Sequence, residues 1–470
     1  MKNHILLLFT FLSSFSAFSQ TVTIVNKKFV INDNVSCPIY FNGANTPWES
    51  WNDFGGTYNT TKWAQNMADL KAKGINASRI WFSCNGGGQP TIANDGTCTV
   101  SPAFWTNCDH LFAQAQTNGI YIMATMMSFD HTKPANPNAT NWQNMLADSA
   151  KTRKFIDAFL IPFVNRYKTN PYLWSIDLCN EIEWIYENGG SRGGADNWSA
   201  SSYAILQRYV AMTSEALHSS AAARSDGSHV LITMGSAAVK WNATKMRNGY
   251  NGSGWVNNSD GNKWSDAALK AQYNKTNVGL DFYSPHFYGW IDGWYSSMFV
   301  KSPTDYGMDD KACMVGEMPS RDPMPTPTMS LTTAFDNLKT LGWQGHMPWT
   351  SNITTNLSTE VGSLADFGAA ALAFKNNNPL LVVPTNCLPT EVNTSVNASF
   401  NYFPNPSADG FTLKSDKDFI YSITDLNGNT IESGFSKGET MAGNQLPGGM
   451  YLLNIKTEKE TQTLKLIKTF

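Results

Sequence analysis

Charge is what this sequence has least of. Only 15% of its 470 residues are Asp, Glu, Lys or Arg, the formal net charge is -3, and no basic block interrupts the chain. That excludes nucleic acid and anionic membrane surfaces as partners, since both call for clustered Lys and Arg. Long apolar runs are missing as well: Ile5 to Phe11 is too short to cross a bilayer, so no membrane span is expected. Histidine is scarce, seven scattered copies that suggest no ligand cluster, and none of the seven cysteines forms a CxxC pair. No metal and no cofactor are therefore expected.

What is present starts with an export signal. Lys2 and His4, the apolar run and the segment SAFSQ read as a signal peptide over residues 1–20, cleaved near Gln20 or Thr21. Of the cysteines, Cys84, Cys98 and Cys108 crowd one loop, where the simplest disulfide joins Cys84 to Cys98; spacing alone does not fix connectivity. Cys179 and Cys313 fall in expected buried strands and read as inert thiols. Aromatics reach 13%, with 16 Trp, a share that suits a cleft stacking on sugar rings.

Residues 21–36 alternate and turn at Asn26-Lys27, which predicts a hairpin closing the bottom of a larger body. Eight apolar strand patterns then follow, over 39–42, 77–82, 120–127, 173–178, 230–234, 282–285, 313–316 and 344–349. Helical patterns separate them, the first over Thr60–Lys73 and others near 102–117, 150–168, 200–221, 263–273, 330–341 and 362–375. Eight strands alternating with helices make an α/β fold, a (β/α)8 TIM barrel spanning 21–376. Residues 377–399, rich in Pro, Asn, Thr and Val, read as a linker, and 400–470 as a small all-β C-terminal domain, with turns at Asn427-Gly428 and Gly448-Gly449.

The stretch LWSIDLCNEIEW opens like a buried parallel strand and ends in Asn180-Glu181; KACMVGE ends the same way in Glu317. A single Glu is most often a solvated surface residue, but two at strand ends meet across one barrel mouth, as glycoside hydrolysis requires. The other strand ends supply a matching set. Arg79 can hold a carboxylate ionised, Asn180 can reach a sugar hydroxyl, and His286 and Tyr288 lie two residues apart on one face. Trp349, with Trp48 and Trp81, can form a platform; Trp51, Trp290 and Trp294 are further platform candidates, and Trp184 faces substrate. Glu183, close behind Glu181, reads as a decoy facing a loop. The Gly-rich loops 85–100 and 186–199 can wall the cleft.

The series Arg79, Asn180-Glu181, His286-x-Tyr288, Glu317 and Trp349, in this order on strands two, four, six, seven and eight, resembles glycoside hydrolase family 5 of clan A. The resemblance implies that Glu181 is the acid/base and Glu317 the nucleophile of a retaining mechanism, with the carboxyl groups about 5–5.5 Å apart. It also implies that Arg79, Asn180, His286, Tyr288, Trp349, Trp48 and Trp81 bind substrate. Strand three departs from the family pattern: a His is expected at its end, His131 comes a few residues late, and Ser128 or Asp130 takes that place. RIWF, DLCNE and the aromatic first loop are similar to mannanase-like members, so a β-1,4-mannan is favoured over cellulose or another β-glucan. In the tail, YFPNPSADGFTL, ITDLNGN, LPGGMYLLNI and KLIKTF resemble the C-terminal sorting domain of type IX secretion, which implies that machinery as a partner and a secreted protein.

The expectation is thus a secreted, monomeric retaining endo-glycosidase acting on a polysaccharide. Alternatives are an exo-glycosidase or transglycosylase of the same clan, or a non-catalytic surface glycan-binding protein, for which the retained glutamates would have no use.

Overall fold

In the computed structural model, residues 20–187, 198, 200–224, 227–245, 261–355, 357–385, 387, 400–425, 429–457 and 461–469 are described. The signal peptide, most of the 186–199 loop and the Asn427-Gly428 turn therefore lie outside the described residues. The chain divides into two compact units, Met1–Thr390 and Glu391–Phe470.

The first unit is built on eight parallel strands: β1 (Phe41–Asn45), β2 (Ala77–Trp81), β3 (Tyr121–Thr125), β4 (Leu173–Asn180), β5 (Leu231–Gly235), β6 (Phe282–Tyr283), β7 (Val315–Met318) and β8 (Gly345–Pro348). Seven form one sheet in the order β5-β4-β3-β2-β1-β8-β7. Strand β6 closes the ring. The Asp281 amide donates to the Ile232 carbonyl (2.8 Å) and the His286 amide to that of Ser236 (2.8 Å), while β6 pairs in parallel with Ala312–Cys313 just ahead of β7. Pro285 has no N–H to offer, which is one reason the regular ladder on β6 is shorter than the expected 282–285.

Strand β4 is buried along its whole length, which is why it reads as apolar. Register shifts interrupt its pairing with both neighbours, between Ile122 and Met123 on one side and between Thr233 and Gly235 on the other. The second extends the strand past the expected Leu178 and re-aims Asn180 and Glu181 at the mouth.

Three antiparallel strands, Val22–Val25, Lys28–Ile31 and Asn34–Pro38, replace the expected hairpin. Asn26 and Lys27 both take φ near +50 to +60°, the geometry of a tight hairpin turn, and Asn32-Asp33 repeat it. The side chain that plugs the barrel floor is Phe29, edge-on to Phe41, Trp174 and Phe282 at 5.1–5.4 Å between ring centroids.

Two expectations are corrected here. Cys84 and Cys98 are not bonded to each other; both are buried thiols, and their loop is held instead by the strand pair Thr91–Ile92 with Cys98–Thr99. The disulfide joins Cys37 to Cys387, 350 residues apart, with Cα atoms at 5.6 Å. It also shortens the linker. Residues from 377 to that cysteine belong to the barrel unit: the helix Leu364–Asn377 is followed by a short one, Pro379–Val382, and the Leu381 carbonyl accepts from the Tyr40 amide.

The second unit is two antiparallel sheets. One orders Phe400–Phe403, Phe411–Ser415 and Glu439–Ala442; the other orders Thr430–Ser436, Phe419–Thr424, Gly449–Lys456 and Thr461–Lys468. Alternate residues, including Phe411, Leu413, Phe419, Ile423, Leu453 and Leu466, form a core of their own.

Candidate active site

The strand ends bring one carboxylate pair together. An oxygen of Glu181 and an oxygen of Glu317 both lie within 4.8 Å of each other and of an imidazole nitrogen of His286. Their surroundings differ. Glu317 Oε1 accepts from Arg79 Nη1 at 2.6 Å and Oε2 from the Tyr288 hydroxyl at 2.8 Å. Glu181 Oε1 meets His286 Nδ1 at 2.8 Å and Oε2 accepts from the Trp184 indole N–H at 3.0 Å. The Glu181 backbone takes φ = 49°, a left-handed turn in a non-glycine residue, fixed by its amide donating to the Gly235 carbonyl at 2.7 Å.

Burial dominates the protonation of both acids. It pushes the Glu181 carboxyl up to about 7, with the Arg79 charge and the Trp184 N–H pulling the other way. It also raises Glu317, there opposed by the nearby His286, Arg79 and the Tyr288 hydroxyl. His286, wholly buried, is pushed down to about 4. At neutral pH its ring is uncharged, and contact with a carboxylate places the proton on Nδ1. Its Nε2 has no hydrogen-bond partner among the described residues and is closely approached by Gly235, where an added Cβ would stand 2.8 Å away.

Arg79 is the centre of the cluster. Its side chain is fully buried and donates from Nε to Asp177 Oδ2 (2.8 Å), from Nη1 to Asn45 Oδ1 (3.2 Å) as well as Glu317, and from Nη2 to Asn180 Oδ1 (2.7 Å). Burial works against its charge but is outweighed by Asp177 and Glu317, which raise its pKa. Asp177 is braced in turn by the Thr125 hydroxyl (3.0 Å) and the Gly235 amide (2.9 Å). Asn45 ties the mouth of β1 to β7 and β8 through the carbonyls of Gly316 and Met347. Sequence reading missed both residues. The signal available was a lone Asp inside an otherwise apolar strand and an Asn at the end of the first one.

Every expected site residue lies at this mouth, but not each in its expected part. Trp81 offers no open face: it is 2% exposed, with the Arg79 guanidinium 4.1 Å from its ring centroid and Trp349 and Trp48 packed on it at 5.0 and 6.0 Å. Trp48 and Trp349 are half-buried, and exposed Trp51 extends their row from 4.4 Å. On the other flank Trp184 packs near exposed Trp290, at 5.9 Å; the side chain of Trp294 lies outside the described residues. Glu183 does not face a loop. It is fully buried and accepts from the Ala237 amide (3.1 Å) and the Trp264 indole (2.6 Å). His131 is also fully buried, its Nε2 on the Ser83 hydroxyl, so it lines no subsite. Beyond Ser128 and its bond to Asp130, it is the Asp130–Lys133 ion pair (2.8 Å) whose charges reach Glu181.

Known proteins resemble this chain at the level of family and fold. Residues 33–316 match the model of cellulase (glycosyl hydrolase family 5), and residues 401–469 that of a secretion system C-terminal sorting domain. A mannan endo-1,4-beta-mannosidase of Cryptopygus antarcticus is 24% identical over 358 residues, 72% of this chain and 87% of that protein. The solved β-1,4-D-mannanase from Cryptopygus antarcticus superposes with TM-score 0.63 at 19% identity, covering 76% of this chain and 95% of that one. The β-mannanase from the blue mussel Mytilus edulis gives 0.61 at 20%, covering 76% and 97%.

Proposed function

The chain belongs to glycosyl hydrolase family 5, and from that premise we propose that it is an endo-β-1,4-mannanase working by double displacement. The observation that carries the mechanism is the carboxylate pair, closely spaced and differently partnered. One oxygen of each acid lies within 4.8 Å of the other, close enough for both to meet one anomeric carbon as a retaining pair must.

Glu317, with Arg79 and Tyr288 donating to its two oxygens, attacks the anomeric carbon. Glu181, kept protonated to about neutrality by burial, gives its proton to the leaving oxygen. A glycosyl ester on Glu317 results. Glu181, now a carboxylate, takes a proton from water as that water attacks the anomeric carbon, and Glu317 leaves with the configuration retained. Neutral His286 donates to Glu181 and holds its carboxyl across from the nucleophile. Asn180, its Oδ1 held by Arg79, turns its amide N–H groups to the sugar 2-hydroxyl.

Exposed or half-exposed indoles on both flanks, Trp48, Trp51 and Trp349 on one and Trp184 and Trp290 on the other, suit a chain bound across the mouth, hence internal cleavage. Similarity to mannan-degrading proteins supports mannan as that chain. The C-terminal sorting domain makes the protein an exported one, extracellular or at the cell surface.

The test is product release from mannan, glucomannan, cellulose, mixed-linkage glucan and xylan, with Glu181→Ala and Glu317→Ala run in parallel. Oligosaccharides from mannan, of retained configuration and lost in both variants, are expected. Hydrolysis of glucan or xylan alone overturns the substrate, and undiminished hydrolysis by Glu317→Ala overturns the mechanism.

A further inference from the structure

Seven histidines scattered along the sequence suggested no ligand cluster, yet the fold gathers two of them. Among the described residues, His218, His229 and Asp281 each bring one ligating atom within 4.8 Å of the others. His218 lies in the turn Leu217–Ala221 that continues the helix Tyr203–Ala216; His229 and Asp281 stand just ahead of β5 and β6. The cluster therefore sits at the amino end of the barrel strands, away from the catalytic mouth.

Its geometry can hold an ion, in the place of two imidazole–carboxylate hydrogen bonds. His218 Nε2 faces Asp281 Oδ2 at 3.1 Å, and His229 Nε2 faces Oδ1 at 3.2 Å. These separations are close to the roughly 3.4 Å edge of a tetrahedron whose corners lie about 2.1 Å from a central ion. The surroundings fix the ligands in place. The Asn277 carbonyl lies 3.0 Å from His218 Nδ1, which sets the proton there and leaves Nε2 inward, the second contact that metal-bound imidazoles commonly make. The Ile232 amide donates to Asp281 Oδ2 at 2.7 Å and orients the carboxylate. The two rings stand edge to face, 5.4 Å apart. Beside His229 and Asp281 opens a cavity of about 460 Å³, whose lining includes Asp33, Asp310, Lys27 and Lys311. Water has room there to complete a coordination sphere.

We propose that His218, His229 and Asp281 bind one transition-metal dication, zinc by the nature of the ligands, with water from the cavity in the remaining position. Two imidazoles and one carboxylate are a donor set zinc accepts readily. Lying far from Glu181 and Glu317, the ion pins a helix end to the starts of two strands and takes no part in the reaction.

The untagged full exported chain, stripped with chelator and desalted, is titrated with zinc chloride at pH 7.5 by calorimetry, with Tm and mannan hydrolysis followed alongside. One zinc per chain and a raised Tm are expected. In His229→Ala, whose side chain is 41% exposed and so leaves no core cavity, zinc affinity should fall by more than about tenfold, the Tm response vanish, and hydrolysis stay as in the parent. Absence of uptake by the parent overturns the proposal, as does equal uptake by His229→Ala and His218→Gln. Zinc uptake that persists in His229→Ala but disappears in Glu317→Ala overturns it too, by placing the ion at the catalytic carboxylates.

Discussion

Replacing Trp184 by Phe removes the indole donor to Glu181 while keeping an aromatic ring, and the pH dependence of hydrolysis reports the lost donor. The indole N–H donates to Glu181 Oε2 at 3.0 Å and favours the ionised carboxylate, while burial favours the protonated one and leaves the group at about 7. A hydrogen bond to a charged group is worth about 1.5–3 kcal/mol, and one pKa unit about 1.36 kcal/mol, so its loss moves the group by about 1–2 units at most. The Glu181 side chain is 15% exposed, so water replaces part of the lost donor and about 0.5–1 unit remains. The sign is upward. The proposed acid works only while it holds its proton, so the alkaline limb of kcat/KM should move from about pH 7 toward about 8. Phe retains the edge contact with Trp241, 5.4 Å away in the parent. The assay is kcat/KM on soluble mannan from pH 4 to 10 for both proteins. An alkaline limb that stays put, or moves down, refutes the assignment; a lower plateau with an unmoved limb would mean that Trp184 acts on the sugar alone.

Other perturbations read other contacts. Tyr288→Phe deletes the 2.8 Å donor to Glu317 and raises that carboxyl further, so the acidic limb should move up by about one unit; a limb that stays or falls refutes the contact. Gly235→Ala would put a Cβ 2.6 Å from Arg79 Nη2 and 2.8 Å from His286 Nε2, both fully buried. A loss of about 1–3 kcal/mol in urea unfolding and of about a hundredfold in kcat/KM is expected, and parent-like values in both would refute the close approach. Cys37→Ser with Cys387→Ser opens a loop of 350 residues, for which chain entropy gives about 6 kcal/mol as an upper figure. At about 0.7 kcal/mol per degree for a unit of this size, Tm should drop by several degrees and at most about 8 °C; an unchanged calorimetric Tm refutes a stabilising bond.

The barrel was legible because its strands are buried on both faces. Apolar runs such as Ile120–Met127 and Leu173–Leu178 stand out between helical patterns, and the acids that end two of them stand out in turn. What joins distant positions was not legible. Nothing in the spacing relates Cys37 to Cys387, or His218 and His229 to Asp281; only closure of the ring brings them together. Glu183 misled for a related reason. Its position two residues past Glu181 suggested a loop, but its partners, Ala237 and Trp264, come from beyond the next strand. Trp81 shows the limit for aromatics: sequence places a ring at the mouth, and only packing tells a floor from a platform.

A cross-link between residues 37 and 387 ties the strand that precedes the first barrel strand to the end of the barrel unit. A protease that nicks any single surface loop between them produces two fragments that stay one covalent molecule. Diffusion apart, the usual end of a clipped enzyme, is closed to it unless the bond is reduced first. Outside the cell, where proteases are common and reductants few, a clipped copy keeps both halves of its active site at hand. On a gel it would run whole without reductant and as two pieces with it.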